Sequence, residues 1–174
     1  MEIAEFDVGA LYEALDAARR ERQLTWREVA EAIWNLSAEL NDRRSDHPIS
    51  PATLTGMRTR GFTSCQHALF MLRFLGRSPE SFLVGGPGPT EAPLPPAGPD
   101  RRLRWNLDSL AAALDERRQA ERLTWTELAG LLRCTPHQLT GIRRARFAIG
   151  MGLAMRIVLW LERPAADFVY AARW

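Results

Sequence analysis

Apolar positions recur at helical spacing along most of the chain, and the same pattern occurs twice. Residues 6–33 align with residues 105–132 at an offset of 99, and residues 49–79 align with the second half at an offset of 85. Identities at fixed spacing indicate that one structural unit has been duplicated. The matched pairs are Leu11/Leu110, Leu15/Leu114, Asp16/Asp115, Arg19/Arg118, Leu24/Leu123, Trp26/Trp125, Glu28/Glu127, Ala30/Ala129, Pro51/Pro136, Leu54/Leu139, Thr55/Thr140, Gly56/Gly141, Arg58/Arg143, Phe62/Phe147 and Pro79/Pro164.

Each copy is predicted to contain four to five short helices, because residues that cap helices precede each periodic segment. The second helix of each copy starts with a capping box, and the third starts with a proline at its first position. No strand pattern competes, so the predicted fold class is all-α. The predicted starts are Asp7 and Asn106 (after staple residues Phe6 and Trp105), Thr25 and Thr124, Ser50 and Thr135, a fourth helix over Ser64–Leu75 and Ile149–Leu161, and a fifth after Pro79 and Pro164.

The two copies are joined by a segment that cannot form a helix. Ten of the sixteen residues in Gly85–Asp100 are Gly or Pro, which disfavour both helices and sheet ladders. We therefore predict copy 1 at residues 1–84, a linker at 85–104 and copy 2 at 105–174. An extended linker of this kind reaches roughly 50 Å at about 3.1 Å per residue, which leaves the copies free to sit independently.

Copy 2 contains a pair of short helices whose core spacing is typical of a DNA-binding helix-turn-helix. With five helices per copy, this unit resembles the lambda-repressor-like (Cro/repressor-type, XRE) family. The resemblance covers Trp105–Val169, and Phe6–Leu83 when an insertion of fourteen residues is excised. The turn position that this family usually gives to glycine is Arg133, where a positive φ would cost about 1 kcal/mol. The core positions of the unit are Leu128, Ala129, Leu132, Cys134, Leu139 and Ile142.

The resemblance implies that the second helix of the motif enters the major groove of double-stranded DNA. Gln138 is suited to pair with adenine, but it also completes a capping box with Thr135, so capping alone is the alternative. The arginines after this helix either clamp phosphates or only complement the helix carboxyl end. Gly141 replaces a long polar side chain that relatives commonly carry. The predicted DNA contacts are Arg133, Thr135, His137, Gln138, Thr140, Arg143, Arg144 and Arg146.

Copy 1 interrupts the same motif. Apolar residues at helical spacing predict that its second helix continues to near Asn41, and a loop over residues 42–48 then replaces the tight turn. The extension is expected to reach DNA, to block docking on DNA, or to offer apolar residues to a protein partner, including a second copy of the chain. The predicted secondary contacts with DNA or a partner are Trp34, Leu40, Arg43, Arg44, Thr53, Arg58 and Arg60.

Charge separates the two copies. Residues 1–84 hold 10 Arg against 12 acids, a net charge of −2, whereas residues 101–174 hold 13 Arg against 7 acids, a net charge of +6. Only the second half therefore meets a polyanion on favourable terms, which disfavours standard groove binding by copy 1. All 23 basic residues are arginine, which a GC-rich genome explains as well as phosphate binding does.

Other chemistry is weakly indicated. Cys65 and Cys134 lie in different copies, so no disulfide is expected, and Cys134 is interpreted as a core residue. Cys65, His67 and His47 have no metal-ligand spacing, so neither a metal nor another cofactor is expected. We find no catalytic constellation and predict no enzyme. The amino terminus lacks a signal-peptide pattern and no segment is long enough to span a bilayer.

These patterns predict a cytoplasmic transcriptional regulator, associated with the bacterial nucleoid, that binds duplex DNA through copy 2. Copy 1 would bind a second half-site, dimerise or recruit a partner. The alternative is a protein-interaction module, such as an antitoxin-like or adaptor protein, that has the fold without DNA binding. Arg133, Gly141 and the small total net charge of +2 favour that alternative.

Overall fold

A computed structural model describes residues 3–43, 49–86, 91–145 and 149–174 of the chain. Within these residues the protein is mostly helical, with nine α-helices. The helices are α1 (Val8–Glu21), α2 (Trp26–Asn35), α3 (Ala38–Asn41), α4 (Pro51–Arg60), α5 (Cys65–Leu75), α6 (Leu107–Ala120), α7 (Trp125–Leu131), α8 (Pro136–Thr140) and α9 (Met151–Trp160). The predicted fifth helices are 3-10 helices, Pro79–Phe82 and Ala165–Phe168, and a further 3-10 helix covers Ile142–Arg144.

The predicted helix starts form as expected. Asp7 and Asn106 accept backbone N–H groups at the starts of α1 and α6, and Ser50 and Thr135 do the same for α4 and α8. The Thr25–Glu28 and Thr124–Glu127 capping boxes are both complete. In each box the hydrogen bonds from the threonine hold the pKa of the glutamate below its ordinary value.

The all-α prediction is wrong in one respect, because the chain also forms two small antiparallel sheets. Strand β1 (Glu5–Phe6) pairs with β2 (Leu83–Val84), and β3 (Arg102–Trp105) pairs with β4 (Val169–Ala172). In each copy the residues before the first helix thus meet the residues after the last one. The staple residues Phe6 and Trp105 lie in these strands and are buried. Strand β3 begins three residues before the predicted start of copy 2.

The two copies are equivalent in structure, but their offset changes once more. Gly76 and Glu162 both have a positive φ after α5 and α9, of 64° and 57°. Ser78 and Pro164 both occupy the cap of the following 3-10 helix. The offset here is 86 rather than 85, so the sequence pairing of Pro79 with Pro164 is wrong by one residue. Copy 2 therefore has one more residue between the starts of α8 and α9 than copy 1 has between the starts of α4 and α5.

The linker composition predicted that the copies sit independently. Instead, they pack against each other. Helices α5 and α9 are in contact, and a single cluster of buried apolar side chains includes residues of both copies. The indole N–H of Trp105 donates to the carbonyl of Cys65 at 2.9 Å, and Gln66 donates to the carbonyl of Leu103 at 2.7 Å. Trp105 is 2% exposed, so copy 2 inserts a large side chain into the shared core.

The described part of the linker lies against copy 1. The guanidinium of Arg73 on α5 donates to the carbonyls of Leu36, Ala97, Gly98 and Arg101 at 2.7 to 3.0 Å. Burial lowers the pKa of Arg73, yet the five carbonyl and hydroxyl contacts compensate for the lost hydration. Arg73 thereby holds the linker against the segment that follows α2. The linker is therefore docked on copy 1 and is not extended.

Neither cysteine forms a disulfide, in agreement with the sequence prediction. Burial raises the pKa of the Cys65 thiol to about 12, which leaves it without nucleophilic character near neutral pH. In the described segments, no helix combines the length and the apolar character needed to cross a membrane.

Glu80 provides a buried polar contact between the copies. Its Oε1 accepts from the backbone N–H of Ala165 at 2.7 Å, and Oε2 has no hydrogen-bond partner among the described residues. Burial, with a smaller contribution from the charge of Glu91, raises the pKa of Glu80 above its ordinary value of 4.5. The folded protein therefore binds a proton at Glu80 more tightly than the unfolded chain does.

Glu80→Gln is expected to alter how stability depends on pH. Because the folded pKa is raised, the stability from protonated Glu80 is complete below 4.5 and is lost as the pH rises through the raised value. Glutamine keeps the acceptor for Ala165 without a charge, so the variant should exceed the wild type in stability above that window and match it below. Denaturant unfolding at a series of pH values measures the difference, and a difference independent of pH would contradict the assignment.

Candidate nucleic-acid interface

Helices α7 and α8 form the bihelical unit predicted for copy 2. Leu128, Ala129, Leu132, Leu139 and Ile142 are buried, as their spacing requires. Cys134 is half-buried against the same core, and its backbone N–H donates to the carbonyl of Ala129. Thr124 caps α7 and Thr135 caps α8. The turn between the two helices therefore has a fixed geometry.

Arg133 occupies this turn with φ of 52°, so the left-handed backbone that the family gives to glycine is present here on an arginine. A positive φ on this arginine costs about 1 kcal/mol, as expected from the sequence. The carbonyl of the preceding Leu132 accepts from Nε of Arg156 at 2.8 Å. Arg156, on α9, thus braces the turn from the core side.

Glu5 of copy 1 connects to this turn. Its carboxylate lies 2.9 Å from Nη1 of Arg156 and 3.3 Å from Nη1 of Arg133. The side chain of Arg156 is only 16% exposed, so its ion pair is less screened by solvent than the pair with Arg133, which is 61% exposed. The strand β1 therefore supports the helix-turn-helix of the other copy.

Helix α8 presents a polar face to solvent. Pro136, His137, Gln138 and Thr140 are exposed, whereas Leu139 between them is buried. The hydroxyl of Thr140 donates to the carbonyl of Pro136 at 3.2 Å. The sequence-predicted contact residues on α8 are therefore brought together on one accessible surface.

Gln138 forms the predicted capping box. Its Oε1 accepts from the backbone N–H of Thr135 at 2.9 Å, and its own N–H donates to the Thr135 hydroxyl at 3.2 Å. A bidentate contact with adenine requires both the oxygen and the nitrogen of the amide, so it competes with this cap. The predicted capping box is therefore present in the structure.

The absence of a side chain at Gly141 has a local steric reason. A Cβ atom at this position would lie 2.8 Å from the carbonyl oxygen of His137, closer than ordinary contacts allow. A larger residue would require the end of α8 to shift. The missing long polar side chain is thus a consequence of how tightly α8 ends.

Basic residues follow α8. Arg143 and Arg144 lie in the 3-10 helix Ile142–Arg144 and are both exposed. The closest acid to Arg143 is Asp108, at 3.9 Å and itself exposed, which leaves that guanidinium weakly paired. Arg146 lies outside the described residues.

The exposed face of α8 and these arginines border a cleft of about 1070 Å³ between the two copies. Copy 1 contributes β1 and the residues after α4, including Phe62, whose side chain is 49% exposed. Copy 2 contributes α8, Arg143, Arg144 and the start of α9. The cleft gathers His137, Gln138, Thr140, Arg143 and Arg144 from the sequence-predicted site; Thr135 lies beside it as the cap of α8.

The secondary residues on α4 are present but engaged locally. Arg58 lies 3.1 Å from Glu13 and over the ring of Tyr12, and both interactions are near the surface. Arg60 donates to the carbonyl of Thr53, while the Thr53 hydroxyl bonds that of Ser50. These side chains are not brought to the cleft.

The predicted continuation of the second helix in copy 1 is wrong. Helix α2 ends at Asn35, and a separate turn of helix, α3, follows after Leu36 and Ser37. The break is stabilised because the Ser37 hydroxyl donates to the carbonyl of Arg101 at 2.7 Å and the Leu36 carbonyl accepts from Arg73. The backbone leaves the helix to meet the linker.

The expected partner surface on this segment is also not present. Leu40 is buried, and Trp34 is half-buried beneath the guanidinium of Arg102. Their apolar surface is used within the chain, because the linker and β3 cover it. Arg43 is exposed, and Arg44 and His47 lie outside the described residues.

Two residues of this site escaped the sequence analysis, Glu5 and Arg156. In the sequence, Arg156 is the single charged residue of the apolar segment 147–161, and nothing in the pattern around Glu5 indicates a contact. Their contact joins residues 151 positions apart in the sequence. A lone charge in an apolar helix indicates that the side chain has a polar partner, here the partly exposed Glu5.

Among the residues that the structure describes, no group of three or more His, Cys, Asp or Glu is arranged to hold a metal ion. Comparison of the chain with family models, with curated proteins and with solved structures found no match in any of the three.

Proposed function

We propose that the chain is a double-stranded DNA-binding protein that regulates transcription, and that it binds DNA through the α7–α8 unit of copy 2. The observation that carries the proposal is the exposed polar face of α8, continued by Arg143 and Arg144. The two capped helices share a buried core, and basic residues follow the second helix. This arrangement is suited to docking the second helix in a groove of DNA. The net charge of +6 in residues 101–174 supports it.

The contacts are proposed to be mainly with the phosphate backbone. Gln138 is held in its cap and Gly141 has no side chain, so two positions suited to reading base edges are withdrawn. Arg143 and Arg144 remain as weakly paired charges beside α8, and arginine pairs with phosphate in a bidentate way. This balance predicts semi-specific binding.

Binding to genomic duplex fragments at two salt concentrations tests the proposal. Between about 50 and 200 mM salt, affinity should fall steeply, since each phosphate contact contributes about −0.9 to the slope of log K against log salt. A gel shift or filter-binding assay measures it. Absence of binding at the lower salt concentration would overturn the proposal.

The second candidate is a protein-interaction module without DNA binding. The observation that favours it is the cleft itself, which combines the exposed Phe62 with polar residues of α8. An interaction module would bind duplex DNA weakly or not at all in the same assay.

A further inference from the structure

The contact between the copies has the symmetry of a two-fold dimer. The N–H of Cys65 donates to the carbonyl of Ile149 at 2.7 Å, and the N–H of Met151 donates to the carbonyl of Thr63 at 2.9 Å. At the offset of 86, each of these hydrogen bonds is the image of the other. The axis passes between Ser64 and Gly150, the caps of α5 and α9, which form an antiparallel bridge. A single chain therefore contains the two-fold arrangement that an isologous dimer forms from two identical chains.

Helices α4 and α8 are equivalent under this relation. Each begins with a hydroxyl cap followed by proline, and the hydroxyls of Thr55 and Thr140 donate to the carbonyls of Pro51 and Pro136 at 3.2 Å in both cases. In copy 1, the three residues Gly61–Thr63 connect α4 to Ser64 at the axis. The bridge at the axis and the residues on either side of it, Gly61–Thr63 and the length of α8, border one cleft. Gly61, the cap at the carboxyl end of α4, therefore borders the same cleft as α8, although no residue within α4 lines it.

The segment that contains α4 carries no acidic residue of its own, although Glu13 of α1 lies 3.1 Å from Arg58. Residues 49–79 contain four arginines and no acid, and the negative charge of copy 1 lies in residues 2–46 and in Glu80. Glu80 is buried at the junction of the copies. Helix α4 carries Arg58 and Arg60, as many arginines as Pro136–Ala145 carries in copy 2.

The two halves nevertheless differ in what they offer to DNA. The first turn of α4 exposes Ala52, where α8 exposes His137. In copy 1 the tight turn before the helix is replaced by α3 and the segment after it. The arginines of α4 are also tied to Glu13 and to the Thr53 carbonyl. Copy 1 is therefore the weaker and chemically different half.

We propose that a single chain occupies two unequal, adjacent half-sites on one duplex, with α8 in the stronger half-site and α4 in the weaker. The target is then a non-palindromic duplex with two contacted segments, as the two recognition helices of a helix-turn-helix dimer contact two half-sites. The inference rests on the proposed function, since it requires that the chain binds duplex DNA. It adds that copy 1 docks and that no second chain is needed.

A matched pair of charge variants tests this inference. Ala52→Glu and His137→Glu each place a carboxylate at the second residue of an equivalent helix, where an acid favours the helix. A duplex is first selected from a randomised library with the full wild-type chain at low salt. Hydroxyl-radical footprinting and light scattering on that duplex then give the protected segments and the number of chains bound.

The wild type is expected to protect two segments of different sequence with one chain bound. Ala52→Glu should erase one segment and weaken binding about tenfold, and His137→Glu should erase the other and weaken binding more. Thr55→Glu and Thr140→Glu form a second pair on exposed sites, in case either first variant fails to fold as judged by circular dichroism.

Three results would overturn the inference. Ala52→Glu with a wild-type footprint would show that copy 1 does not dock, while the proposed function would stand. Two chains on identical half-sites would replace the single-chain arrangement with an ordinary dimer. Failure to enrich any duplex at low salt would overturn the proposed function itself, and the inference with it.

Discussion

Trp105→Ala is expected to destabilise the whole chain by about 3–5 kcal/mol, the usual cost of removing a large buried aromatic side chain. Trp105 is 2% exposed and donates across the copy boundary to the Cys65 carbonyl. Its loss leaves a cavity between α5 and β3 and removes a buried hydrogen bond. Because domains of this size have only about 5–15 kcal/mol of total stability, the effect is large.

Denaturant unfolding followed by circular dichroism measures this change. The shared core predicts one cooperative transition in both the wild type and the variant, since both copies lose packing together. Trp125→Ala is the matched control: Trp125 is half-buried beneath the guanidinium of Arg118 and does not bridge the copies. Two separate transitions, or equal losses in the two variants, would contradict a common core.

The double variant Arg143→Ala/Arg144→Ala is expected to lose at least tenfold in affinity for duplex DNA near 100 mM salt. Each lost phosphate contact should also reduce the salt slope by about 1, so the double variant should show a slope lower by about 2. The physical reason is that both guanidinium groups are exposed directly after α8, and the ion pair of Arg143 with Asp108, at 3.9 Å, is weak. Filter binding across a salt series measures both quantities.

A charge-matched control separates local contact from net charge. Arg27→Ala/Arg173→Ala removes the same charge from exposed positions that do not border the cleft. This control should change affinity by less than about threefold, because distant surface charges are screened at this salt concentration. Equal losses in the two double variants would show that only the total charge matters.

Local signals explain what the sequence predicted well. Capping residues such as Thr25, Ser50 and Thr135 act within three residues, so helix starts can be located from the chain alone. The core of α7–α8 was likewise predictable, because helical periodicity places its apolar residues on one face. The left-handed turn at Arg133 followed from its place in that unit.

Long-range contacts explain what the sequence did not predict. Strands β1 and β2 have two residues each, too few to show alternation, and they form because the ends of copy 1 meet. The end of α2 at Asn35 depends on Arg73 and Arg101, which lie far along the chain. Arg73 also accounts for the docked linker, which its glycine and proline content did not indicate.

The candidate site was predicted in part. His137, Gln138, Thr140, Arg143 and Arg144 lie on one surface, because they are close in sequence. The contribution of copy 1 was not, since the Glu5–Arg156 ion pair and the cleft arise only when the two copies pack. That this surface binds duplex DNA is the central proposal.

Hydrogen exchange of the full chain, with and without duplex DNA at low salt, tests that proposal most directly. DNA binding through α7–α8 predicts slower exchange of the amides of residues 133–145 when duplex is present. The amides of α1, which border no part of the cleft beyond Val8, should exchange at unchanged rates and serve as the internal reference. Unchanged exchange in residues 133–145, with a duplex bound or with none bound, would contradict the account.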